Sequence, residues 1–274
     1  MPTIPSKRHK MKGGGVGMRG IASALSLQPR ENDETGMLAA GTWTRWVGLY
    51  DMGGMGGTVA TWSIADAADK NAGVGGTGIT QTAWSACGRY LFVVERKSRG
   101  ILVYDVRVTG ELVCWLEGRG AETNQRLGVD VFEGERGTEI WTGGTDGVVK
   151  VWDNVGMTEG AQGRSWEWRA HDGKCGSEAR GRCSNYAQTT EGNKLETRAN
   201  MKADPITSAV VHSSGTVVAT CSGQRAFLSL GEDESDEASE EQASDGEDRE
   251  DQSSRHSSKP PSRAFDNSIK VWSL

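Results

Sequence analysis

Proline, histidine and phenylalanine are scarce, with 6, 4 and 4 copies in 274 residues, and no apolar run approaches the 18 residues a membrane helix needs. The N-terminal residues carry Lys and Arg but no apolar core, so a secretory signal is not expected and the chain reads as soluble and intracellular. The five cysteines (Cys87, Cys114, Cys175, Cys183, Cys221) are odd in number and scattered, which excludes a disulfide framework and leaves reduced thiols. Cys175 and Cys183 share a stretch with His171, but their spacing fits no zinc pattern, so no metal is expected. Also missing are a Gly-x-Ser-x-Gly turn, a P-loop and a dinucleotide fingerprint; Gly13-Gly14-Gly15-Val16-Gly17 follows a basic tail rather than a strand. No enzymatic activity, cofactor or small-molecule substrate is expected.

What is abundant is glycine, at 38 residues, and tryptophan, at 10. One stretch sets the pattern. Glu139 to Thr142 is extended, Gly143-Gly144-Thr145-Asp146-Gly147 turns the chain, and Val148 to Trp152 returns as a β-branched strand. Val149 and Val151 point to one face, Val148 and Trp152 to the other, so the strand is apolar on both sides apart from Lys150. Such a strand must be covered from both directions. No helical periodicity separates the strands, so the covering layers are expected to be other sheets, as in a β-propeller.

A propeller repeats, and this chain does. Asp266-Asn-Ser-Ile-Lys-Val-Trp272 matches Asp146-Gly-Val-Val-Lys-Val-Trp152, and Ile101-Leu-Val-Tyr-Asp105 and Val47-Gly-Leu-Tyr-Asp51 are weaker copies. From Tyr50 to Tyr104 is 54 residues, and on to Trp152 is 48. Setting aside a polar loop at 172 to 203 and an acidic insert at 228 to 264 brings the last interval to a similar length. Four blades are expected over residues 20 to 274. The second opens at Ile79, the third at Glu111-Leu-Val-Cys-Trp-Leu116 and the fourth at Pro205.

This pattern resembles the WD-repeat family, in which a turn Asp and a strand Trp are linked through a Ser or Thr and a His. Asp146, Trp152 and Thr142 fit that motif in the third blade, and Asp266, Trp272 and Thr220 in the fourth, with His171 in place of a Gly-His element. These residues are expected to hold the fold together rather than form a site. Arg19-Gly-Ile21, Gly36 to Gly41 with Gly48-Leu-Tyr50, Thr123-Asn-Gln-Arg126, and Ala219 to Phe227 followed by an acidic insert are similar to the telomerase Cajal body family of WD-repeat proteins. That resemblance implies a noncatalytic platform that binds small Cajal-body RNAs and telomerase RNA with their RNP proteins, chiefly in the nucleus and to some extent in the cytoplasm. It covers the later part of that family's propeller. Three readings of the open ring follow: a piece of a longer protein, completion by a second copy, or closure as a small ring.

Charge is unevenly spread. Glu232 to Asp251 holds twelve acids against Arg249, so the remainder of a chain with net charge -6 is about +5. Residues 1 to 19 form a basic, Gly-rich leader expected to be disordered; Lys7 to Lys12 reads as a solvated tail, an import signal or a phosphate-binding arm. Residues 154 to 203 and 228 to 264 are expected to be disordered loops. Ser229 and Ser244 each precede a Glu by three residues, which suits an acid-directed kinase or leaves them as solvated serines.

The RNA-binding candidates are Gln125-Arg126 and Gln224-Arg225, where a planar guanidinium lies next to an amide. The plainer role for such pairs is to hydrogen-bond neighbouring loop carbonyls. Lys97 and Arg99 are further rim cations. The rival function is a general protein-interaction scaffold in RNA processing or splicing, without direct RNA contact.

Overall fold

The computed structural model describes residues 18–29, 36–53, 56–171, 204–223 and 267–274. The first sheet is an antiparallel meander of β1 (Ala22–Leu27), β2 (Met37–Thr42), β3 (Trp46–Asp51) and β4 (Thr58–Ser63). The second contains β5 (Ile79–Trp84), β6 (Tyr90–Glu95), β7 (Ser98–Asp105) and β8 (Leu112–Ala121), again in sequence order. The third contains β9 (Val129–Gly134), β10 (Gly137–Gly143) and β11 (Val148–Trp152). The chain then returns to the second sheet as β12 (Gly160–Gln162), parallel to β8, before β13 (Trp166–Arg169) completes the third. The fourth holds β14 (Ile206–Val211), β15 (Val217–Ser222) and β16 (Ile269–Ser273). The fold is that of a partial β-propeller, with no closed ring among the described residues.

Alternation along each strand decides which neighbour it meets. In the second sheet Leu91, Val93, Leu102 and Tyr104 face the first sheet, while Phe92, Val94, Ile101 and Val103 face the third. In the third sheet Ile140 and Trp152 face backwards, and Trp141, Val149 and Val151 face forwards. Each fully buried side chain of this size contributes about 1.5–3 kcal/mol. Trp152 and Trp272 both pack towards the preceding sheet, as equivalent positions of a repeat should.

Close approach requires glycine at two matching places. A Cβ on Gly41 would collide with Ile79, and one on Gly143 with Ile206; Gly41 lies next to the end of β2 and Gly143 ends β10, where the next sheet's first strand arrives. Side chains also stitch the first strands together. Gln81 exchanges two hydrogen bonds with the Val129 backbone, at 2.6 and 3.0 Å, and Asp130 accepts from the Val211 amide at 2.8 Å.

Three expectations need correction. Glu111 to Leu116 does not open the third blade: Leu112–Ala121 is the outermost strand of the second sheet, because the short turn after Asp105 folds it back onto β7. The stretch from 154 to 203 is not wholly loop, since β12 and β13 lie inside it. There Trp166 and Trp168 stack at 5.3 Å and meet the edge of Trp141, so three indoles supply apolar area that the average composition hides. The leader is not free to its end either, because Met18 is buried against Ala40 and Tyr50. Residues 1 to 17, 172 to 203 and 224 to 266 lie outside the described residues.

Candidate functional site

One end of the stack gathers the turns between second and third strands and the connections between sheets. There the Gly120 carbonyl accepts from Thr145, the Gly144 carbonyl from Ile206, and the Gly223 carbonyl from the Gln125 side chain. Gln125, Arg126, Thr142, Asp146, His171 and Thr220 belong to this end.

The fourth blade contains a continuous polar chain. The Trp272 indole donates to Thr220 Oγ1 at 2.9 Å, Thr220 Oγ1 lies 2.9 Å from His171 Nε2, and His171 Nδ1 is 3.5 Å from Ser268 Oγ. Because an indole only donates, Thr220 accepts there, and the direction of its bond with His171 follows the imidazole tautomer. The third blade is wired differently. Thr142 donates to the Gly128 carbonyl at 3.1 Å, Asp146 pairs with Lys150 at 2.9 Å, and the buried Trp152 N–H has no partner. The reason is positional: Lys150 reaches the Arg119 carbonyl as Lys270 reaches that of Ala170, so Gly120 stands where the fourth blade has His171. Without an imidazole the linked chain of Asp146, Thr142 and Trp152 does not form. Asp266 lies outside the described residues.

Arg119 takes over part of that task. Fully buried, it donates to the Glu95 carbonyl at 3.0 Å and the Leu127 carbonyl at 2.8 Å, tying the second sheet to the entry of the third. Desolvation pulls its guanidinium down to about 10, still charged at neutral pH.

Between the first two sheets the same end holds an ion-pair cluster. Arg45 Nε and Nη2 grip Glu95 at 2.7 and 3.0 Å, while Nη1 and Nη2 grip Asp69 at 2.6 and 2.8 Å. The Arg45 side chain is 15% exposed and that of Glu95 2%. The guanidinium holds the Asp69 carboxyl below the ordinary carboxylate range. Arg45 sits at φ 64°, the left-handed position that Gly147 fills in the third blade at φ 73°. A side chain there costs about 1–2 kcal/mol, a strain this lock offsets.

Arg126 extends exposed into solvent and joins no ion pair among the described residues. Gln125 serves a loop carbonyl, as plainer rim amides do, but that carbonyl belongs to Gly223, next in sequence to Gln224-Arg225. Lys97 is exposed, and Arg99 pairs with Glu122 at 2.8 Å. Arg225, Gln224, Ser229 and Ser244 lie outside the described residues.

Sequence reasoning passed over Trp43 and Arg96. Trp43, 42% exposed, sits in the tight turn between β2 and β3, and the Arg96 guanidinium lies 4.1 Å from the centre of its ring. A signal was there: Thr42-Trp43-Thr44-Arg45 is a hairpin turn without the Gly, Asn or Asp that turn geometry favours.

No family model matches the chain. Guanine nucleotide-binding protein negative regulator 1 of Schizosaccharomyces pombe is 34% identical over 142 residues, covering 52% of this chain and 32% of that protein. Telomerase Cajal body protein 1 of Rattus norvegicus is 31% identical over 140 residues, covering 51% of this chain and 23% of that protein. The chain resembles telomerase Cajal body protein 1. The protein of that name from Mesocricetus auratus is 30% identical over 140 residues. The chain therefore spans a third or less of the length of the curated relatives it matches.

Proposed function

We propose that this WD-repeat chain is a noncatalytic RNA-binding platform that holds small Cajal-body or telomerase RNA, together with RNP proteins, on the turn face of its blades. The observation that carries the reading is the meeting of Gln125 with Gly223, which joins the Asn124-Gln125-Arg126 turn to the strand end leading into Gln224-Arg225. Arg126 is exposed beside this junction. Its fork suits phosphate or base edges, and the neighbouring amides suit unpaired bases. The resemblance to a protein named for telomerase and the Cajal body supports a nuclear, Cajal-body setting.

Titrating a small RNA hairpin at several salt concentrations tests this. Affinity should fall steeply as salt rises, and Arg126→Ala and Arg225→Ala should each weaken binding and flatten the salt slope by about one. Absent or salt-insensitive binding would favour a protein scaffold.

A further inference from the structure

We propose that Trp43 and Arg96 form a stacking site for an unpaired RNA base, where the turns of the first two sheets meet; this rests on the RNA-platform reading. The Trp43 amide donates to the Ile21 carbonyl at 3.1 Å, and the residue keeps 42% of its surface in water. Arg96 is positioned from both sides of its backbone: its amide donates to the Gly78 carbonyl at 2.8 Å, and its carbonyl accepts from Thr77 at 2.9 Å. Gly78 matters here because a Cβ would press on the Trp43 carbonyl at 2.8 Å, so glycine lets the two turns approach. The Arg96 Nε is buried without a hydrogen-bond partner, so the guanidinium lies against the indole and is not drawn off by a carboxylate.

The electrostatic surroundings favour an anionic, aromatic partner. At this end of the sheets Glu95 and Asp69 are both held by Arg45, and Glu122 is held by Arg99. Exposed Arg19, whose carbonyl accepts from the Thr44 hydroxyl, and exposed Lys97 at the adjacent turn join no ion pair among the described residues. An exposed indole backed by a cation and flanked by uncompensated positive charge matches what single-stranded RNA recognition needs: a π-face for one base and cations for the phosphates beside it. A protein partner would use the same aromatic, but Glu95, Asp69 and Glu122 are already paired and would not serve its basic residues.

The test uses the full chain and a short single-stranded RNA carrying 2-aminopurine, whose fluorescence is quenched by stacking. The wild-type chain should quench it. Trp43→Leu should abolish quenching and weaken binding roughly five- to hundredfold, the range for one stacked base, with the salt slope unchanged. Trp43→Phe should keep most of both. Ultraviolet crosslinking of the wild-type chain should place an adduct on the tryptic peptide 31 to 45, a measurement that does not depend on any variant folding. If RNA binds and Arg126→Ala weakens it, while Trp43→Leu binds as tightly as wild type and no adduct falls on that peptide, the stacking site is wrong and the platform stands. If no RNA binds at low salt, both fail.

Discussion

Cys114 shows how far burial alone sets a side chain's chemistry. It is buried between the second and third sheets, and desolvation pushes its thiol up to about 11, whereas Cys87 is exposed at a turn. At pH 8 an alkylating reagent should label Cys87 within minutes and leave Cys114 unmodified until the chain is unfolded, as read by mass spectrometry. The same shift affects stability. Between about pH 9 and 11 the folded chain keeps a proton that the unfolded chain releases, so stability falls as pH rises through that window. Thermal midpoints taken across that range should decline, and less so in Cys114→Val. Arg45 shows the opposite balance of forces: a residue placed in a backbone region that favours glycine, and kept there by two bidentate carboxylates.

Among the elements, Gly41 near the end of β2 and Gly143 at the end of β10 are constrained by the sheet that follows. Gly143→Val would drive a branched side chain into Ile206 and should cost about 1–3 kcal/mol, read as a lower denaturant midpoint. A valine at Gly163, where a Cβ meets nothing, should leave the midpoint close to wild type. The hairpin of β10 and β11 was legible because its residues carry period-two alternation and a glycine turn in one continuous stretch. β13 was not, because its apolar content is two indoles set in a polar run, and their worth depends on Trp141 from elsewhere in the chain. The rim was half legible. Gln125-Arg126 stands out as a charged pair beside a strand, while the pairing of Trp43 with Arg96 joins turns of two different sheets and leaves no local spacing to read. The differing ties of the third and fourth blades were hidden for the same reason: His171 and Gly120 are matched only through the contacts of Lys270 and Lys150.

For the molecule as a whole, four sheets make three interfaces, so the outward faces of the first and last have no partner sheet within the described residues. Ile21 and Leu25 are 76% and 63% exposed on one, and Ile269 and Val271 are 74% and 69% exposed on the other. Apolar faces of this kind, with an unpaired strand at the edge, favour association. Sedimentation velocity of the isolated chain should show concentration-dependent assembly, which Leu25→Lys together with Val271→Lys should reduce.

β15 and β16 are hydrogen-bonded neighbours, with Cys221 opposite Ile269, yet the chain between them contains the whole run from Glu232 to Asp251. Departure and return points therefore sit side by side on one rung. Whatever is threaded through that doorway can be lengthened, shortened or exchanged for a foreign module with adjacent ends at little entropic expense. Twelve of the protein's 37 acidic residues thus form an accessory that evolution or an engineer can swap without relaying any strand.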